Sequence, residues 1–180
     1  MKPLLIIAIF TLVSCNVTNK RTLDQHQLFS EFLFDFEELL EQRYGQQHEN
    51  DLFRMFIIES NEVYPTGICL DNINNLFKYL LIDSLWMPVE KNGDVMFFLN
   101  FDGWFCDFMD ELTDIEPWMA IYRDTVCPAK DISPTSIVLV LEHAENSDLK
   151  NEKIRFFIAV HFFSIMVERG CLDNYPLIPH

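Results

Sequence analysis

Apolar residues recur at helical spacing over most of this chain. The clearest run follows Thr22 and Gln25, which match a capping box in which the Thr hydroxyl and the Gln side chain satisfy free N–H groups at a helix start. One face of the following segment is apolar as far as Gly45, a residue that can end a helix, and consists of Phe29, Phe32, Leu33, Phe36, Leu39 and Leu40. The pattern predicts a long amphipathic helix.

Further helices are predicted over about 51–60, 71–85, 103–113, 117–123, 133–143 and 149–169. In the last of these, 11 of the 14 residues from Ile154 to Val167 are apolar. Fourteen residues are too few to span a bilayer, so we expect a central buried helix. The stretch from Ile137 to Leu141 suits a buried strand as well as a helix, and its sequence leaves both open.

After Trp86 the apolar residues no longer follow helical spacing. Two short extended segments, Val89 to Lys91 and Asp94 to Leu99, flank Asn92-Gly93, a pair that accepts the positive φ angles of a type I′ turn. We therefore predict a mainly α fold, in one helical domain of about six or seven helices, with one β-hairpin near Asn92-Gly93.

The first 15 residues form a separate unit. Lys2 precedes an apolar run from Leu4 to Val13, and Ser14 is a small residue ahead of Cys15. Ten helical residues reach about 15 Å, roughly half of a hydrocarbon core. Leu12-Val13-Ser14-Cys15 resembles the lipobox of bacterial lipoprotein precursors. The alternatives are a plain secretory signal and an uncleaved apolar start.

The resemblance implies a diacylglyceryl group on Cys15, cleavage before it and fatty acylation (palmitate) of the new amino terminus. The chain then divides into a signal peptide at 1–14, a lipidated Cys and tether at 15–21, and a helical domain at 22–180. Asn16 stands where an Asp favours the inner membrane in such proteins, and Lys20-Arg21 replaces the acidic run of surface-exported ones. We expect an outer-membrane anchor that faces the periplasm.

The formal net charge is −15. A chain this acidic repels phosphate backbones, so a nucleic-acid partner is disfavoured. With 5 glycines and no phosphate-binding loop, nucleotide chemistry is disfavoured too, and no cofactor is predicted. The expected partners are the membrane, through the lipid on Cys15, and a basic protein.

Four cysteines remain besides Cys15: Cys69, Cys106, Cys127 and Cys171. In an oxidising envelope compartment we expect one or two disulfides, and three pairings stay open. The alternative is four buried thiols. No two of them have the short spacing of a preformed zinc site, so no metal is predicted.

The helix predicted over 103–113 has two distinct faces. Trp104, Phe105, Phe108 and Leu112 form one face, and Asp107, Asp110, Glu111 and Asp114 follow at i, i+3, i+4 and i+7 on the other. The acidic row is typical of a solvated face. Its functional interpretation is a surface that contacts a basic partner, with Trp118 as an aromatic anchor, or that loosely holds a divalent cation.

Catalytic residues do not emerge from the sequence. His143 and His161 fall in predicted elements and either could pair with a cysteine, yet a solvent-facing helix end and a hydrogen-bonded core histidine explain them better. We therefore predict a non-catalytic binding protein, of a protector (immunity-like) or adaptor type. The alternative is a small envelope hydrolase or thiol-dependent enzyme with a Cys/His or carboxylate site.

Overall fold

The computed structural model describes residues 25–80, 85–91 and 94–171. Three predicted features lie outside the described residues: the lipobox with Cys15, the capping residue Thr22, and the turn at Asn92-Gly93.

The described residues form seven α-helices and one antiparallel hairpin, which confirms the mainly α fold. In chain order these are α1 (Gln25–Tyr44), α2 (Glu49–Glu62), α3 (Phe77–Leu80), β1 (Trp86–Lys91), β2 (Asp94–Leu99), α4 (Phe105–Thr113), α5 (Trp118–Ala129), α6 (Pro134–His143) and α7 (Glu152–Glu168). Short 3₁₀ turns at Ile73–Leu76 and Ala144–Asn146 precede α3 and follow α6.

Helix α7 is the centre of the fold. From Ile154 to Val167 every residue except Arg155 is buried, which confirms the predicted central helix. α1 and β2 pack against it. Arg155 is part-buried because its guanidinium crosses to α1, where Nε lies 2.9 Å from a carboxylate oxygen of Glu37.

Aromatic rings join the hairpin and α1 to α7. Phe32 of α1 lies within ring contact of Tyr79, Trp86, Phe156 and Phe163. The indole N–H of Trp86 donates to Ser164 Oγ at 3.0 Å. The first residue of the hairpin is therefore held by both packing and a buried hydrogen bond, which position the sheet on the central helix.

The strands pair from Trp86 opposite Leu99 to Lys91 opposite Asp94. This register leaves two residues for the connection, the length that the sequence pattern predicted.

Two predicted helices differ in extent from the structure: α5 continues past the predicted end at residue 123 to Ala129, and the segment over 71–85 is not one helix. The helix predicted over 71–85 is, in its described part, a 3₁₀ turn followed by α3, and Asn72 just before it has a φ of 59° that no α-helix contains. The segment from Ile137 to Leu141 is helical. Ser133 caps α6 by accepting from the N–H of Ser136, and Pro134 occupies its first turn, so the start signal decides against a strand.

The four cysteines form two disulfides, Cys69–Cys171 and Cys106–Cys127. The first joins the segment after α2 to the residue beyond the end of α7, and the second joins α4 to α5. Of the alternatives left open, the structure therefore shows two bridges and no pair of buried thiols among these residues.

We predict that the two disulfides contribute unequally to stability. The bridges close loops with sequence separations of 102 and 21 residues. Chain-entropy arguments then give about 4.7 kcal/mol for Cys69→Ser/Cys171→Ser and about 3.3 kcal/mol for Cys106→Ser/Cys127→Ser. Urea unfolding of both variants under oxidising conditions measures this, and equal losses would contradict the loop-length account.

A second prediction concerns the aromatic core. Phe163 is fully buried, whereas Phe34 is 60% exposed. Phe163→Ala should lower the free energy of unfolding by about 3–5 kcal/mol because it leaves a cavity among rings. Phe34→Ala, the matched control, should change it by less than about 0.5 kcal/mol in the same denaturation experiment.

Candidate functional site

A groove lies where the first turns of α1 and α7 meet α4, and we call it the α1–α4–α7 groove. Its volume is about 360 Å³, which is within the range of known ligand pockets. We call its aromatic lining residues the base, namely Phe29, Trp104 and Phe108, and its charged lining residues the sides, namely Asp107, Glu111, Glu152 and Lys153.

The base of the groove is the edge of the aromatic core. The buried ring of Phe156 stacks with Phe29 at 4.3 Å and with Trp104 at 5.9 Å between centroids. Phe108 meets both Trp104 and Phe156 edge to face. Phe29 and Trp104 are only part-buried, so apolar ring surface remains accessible in the groove.

Carboxylates from two helices line the groove together with these rings. Asp107 and Glu111 lie one helical turn apart on α4, and Glu152 belongs to the first turn of α7. The turn begins there because the Asn151 side chain caps it, accepting from the N–H of Lys153 at 3.0 Å. Lys153 Nζ lies 2.8 Å from a carboxylate oxygen of Glu111, an ion pair that joins the two helices. The groove thus carries three carboxylates and one ammonium group.

The four residues of the predicted acidic row are all exposed, but the structure places them in different surroundings. Asp107 and Glu111 line the groove. Asp110 instead forms an ion pair with Arg123 of α5, and Asp114 follows the last residue of α4. The four carboxylates therefore do not act as one strip, and only two of them share a cavity.

Trp118 is not the exposed anchor that we predicted. Only 8% of it is accessible, because its indole N–H donates to Ser147 Oγ at 3.0 Å and its ring lies against Phe157. His143 stacks on its other side at 5.6 Å. Packing at the start of α5 removes it from the surface, and the part-exposed tryptophan beside the acidic row is Trp104.

His161 is a core histidine, as the sequence predicted. It is wholly buried, and its Nδ1 lies 2.8 Å from the hydroxyl of Tyr122. Burial lowers the pKa of His161 to about 3, so the ring is neutral near pH 7. A side chain enclosed in this way does not reach a substrate.

The thiol-dependent interpretation finds no support in the described chain. Cys69, Cys106, Cys127 and Cys171 are all bridged, and a disulfide sulfur is not a thiolate nucleophile. Among the residues that the structure covers, no three His, Cys, Asp or Glu side chains gather as metal ligands. Within the same residues, no helix has the length and apolar character needed to cross a bilayer.

Comparison of the chain with protein-family models, with curated proteins and with solved structures finds no match.

Sequence reasoning missed the groove because its parts are far apart in the chain. Phe29 lies in α1, Trp104 directly before α4, and Glu152 in α7. The pattern placed Phe29 and Trp104 on apolar faces correctly, but it could not show that both stop short of full burial. Glu152 and Lys153 had no local signal beyond their position in the first turn of a helix.

We predict that the Tyr122–His161 pair makes stability sensitive to acid. The pKa of His161 is lower in the folded chain than its ordinary value near 6.5, so between these values the unfolded chain binds a proton that the folded chain does not. Stability is therefore lost as pH falls. The double variant Tyr122→Phe/His161→Phe keeps an aromatic ring at both positions and removes the titrating group.

From pH 6.5 to 4.5, the wild-type free energy of unfolding should fall by about 2 kcal/mol more than that of the double variant. Urea unfolding at a series of pH values measures the difference. Parallel pH profiles would contradict the burial of a neutral His161.

Proposed function

We propose that this chain is a lipid-anchored envelope protein without catalytic activity, which binds a basic protein through the acidic surface of α4 and the adjoining groove. The observation that carries the proposal is the α1–α4–α7 groove, where carboxylates of α4 and α7 flank accessible aromatic rings. Binding sites for proteins combine apolar anchoring area with complementary charge in this way.

Charge supports the choice of a basic partner. Acidic residues outnumber Lys and Arg by 28 to 13, which gives a net charge of −15. Such a field attracts a cationic protein over several ångströms and increases its association rate, while it disfavours nucleic acids and anionic lipids. A protector protein of immunity type, or an adaptor, would use these properties.

The N-terminal segment supports an envelope location. Leu12-Val13-Ser14-Cys15 matches a lipobox, and Asn16 with Lys20-Arg21 favours an outer-membrane anchor that faces the periplasm. Gln25, a residue of the groove, comes ten positions after Cys15. A fully extended chain of that length spans at most about 36 Å, so a lipid on Cys15 would keep the groove close to the membrane surface.

The test is affinity capture with the mature chain, residues 16–180, from a lysate of its own host. This part contains the whole described core and both disulfides. At low salt we expect enrichment of a basic protein that is released at high salt, because screening weakens attraction between exposed charges. Mass spectrometry identifies the protein, and its binding is then measured with purified components.

A charge-matched pair of variants distinguishes specific from general attraction. The test variant carries Asp107→Asn, Asp110→Asn, Glu111→Gln and Asp114→Asn. The control carries Glu38→Gln, Glu41→Gln, Glu62→Gln and Glu142→Gln, four exposed positions outside α4. The first should weaken binding roughly tenfold or more and the second only slightly. Equal losses, or no basic protein at either salt, would contradict the proposal.

A further inference from the structure

We propose that the α1–α4–α7 groove receives one arginine side chain of the partner, with the guanidinium stacked on the ring of Trp104 and bonded to Asp107 and Glu152. This inference rests on the proposed function and specifies its recognition chemistry.

The base of the groove suits a planar cation. The rings of Phe29 and Trp104 both stack with the same buried ring, Phe156, at interplanar angles of 27° and 19°. Each of the two residues is part-exposed, and one face of the Trp104 ring lies against Phe156. A guanidinium group is flat, is more weakly hydrated than an ammonium group and stacks on aromatic faces, most favourably on Trp.

The sides of the groove suit a group with several donors. Asp107 belongs to α4 and Glu152 to α7, so carboxylates approach from two helices. Guanidinium offers five N–H donors in a fixed plane and can bond to two carboxylates at once, whereas an ammonium group acts as a point charge. The groove's own cation, Lys153, is already bound to Glu111, which reduces its repulsion of an incoming charge.

Other occupants fit the same residues less well. An anion would meet three carboxylates. A neutral apolar group would cover those carboxylates without replacing their hydration, which costs free energy. A cation with a flat face satisfies both the rings and the acids, and in a protein partner that group is arginine.

The NMR signals of the tryptophan indole N–H groups provide the measurement. Trp86 and Trp118 are buried, and their N–H groups are bonded to Ser164 and Ser147. Trp104 lines the groove and is part-exposed as a residue, although its indole N–H is buried and has no hydrogen-bond partner among the described residues. In the mature chain, residues 16–180, labelled with ¹⁵N-tryptophan, the Trp104 signal reports on the groove and the other two serve as internal controls. Trp104→Phe assigns the signal.

The probes are three blocked pentapeptides, each with four glycines around a central arginine, citrulline or lysine. Citrulline has the shape of arginine without its charge. We expect the arginine peptide to shift the Trp104 signal saturably and to bind about fivefold more tightly than the citrulline peptide, with lysine between them. The Trp86 and Trp118 signals should remain in place.

Charge-matched variants test the two carboxylates. Asp107→Asn/Glu152→Gln should reduce affinity for the arginine peptide to that for citrulline. Glu38→Gln/Glu41→Gln makes the same change in net charge on α1, and Glu41 is about 18 Å along that helix from Phe29. This control should leave the affinity unchanged.

Equal binding of the arginine and citrulline peptides would overturn the inference, as would tighter binding of lysine or equal losses in the two variants. These outcomes differ from failure of the proposed function. A partner could still be captured through Asp110 and Asp114, and an arginine-binding groove could exist in a chain that captures no basic protein.

Discussion

The fold depends on the burial of α7 on every side. The residues of α7 from Ile154 to Val167 are almost all apolar. Exposure of any side of this helix to water would be unfavourable, so the other elements surround it. Polar side chains on α7 can be buried at low cost only where they form hydrogen bonds within the protein. Ser164 accepts from Trp86 and donates to the carbonyl of Val160, and His161 Nδ1 bonds to the hydroxyl of Tyr122, while the buried Nε2 of His161 has no hydrogen-bond partner among the described residues. The positions of the hairpin and α5 follow from these contacts.

The same enclosure accounts for the character of the surface. The surrounding helices pack their apolar faces towards α7, so their charged residues lie on the outer sides. In this chain most of the charged residues are acidic. Phe156 links the interior to that surface, since its ring contacts Phe32 in the core and Phe29 and Trp104 at the groove. The base of the groove is therefore supported by close packing, which keeps its rings oriented before any partner arrives.

Periodicity predicted the helices that have two well-separated faces. α1 and α4 lie where the pattern placed them, because an apolar stripe at 3.6-residue spacing has one efficient way to be buried, whereas α7 was recognised by its almost continuous apolar run. The pattern failed where local and tertiary signals compete. Asn72 interrupts the helix predicted over 71–85, and Trp118, which stood beside the acidic row in sequence, is drawn into the interior by Ser147 and Phe157.

By itself, the sequence determined the helical class, the hairpin register and the central position of α7, since each depends on residues that are neighbours in the chain. Only the tertiary structure decided the pairing Cys69–Cys171 and Cys106–Cys127, the division of the acidic row between Arg123 and Lys153, and the existence of the groove. The physical reason is separation along the chain. Side chains from α1, α4 and α7 meet only after the core has formed, and no local period records which of them remain exposed.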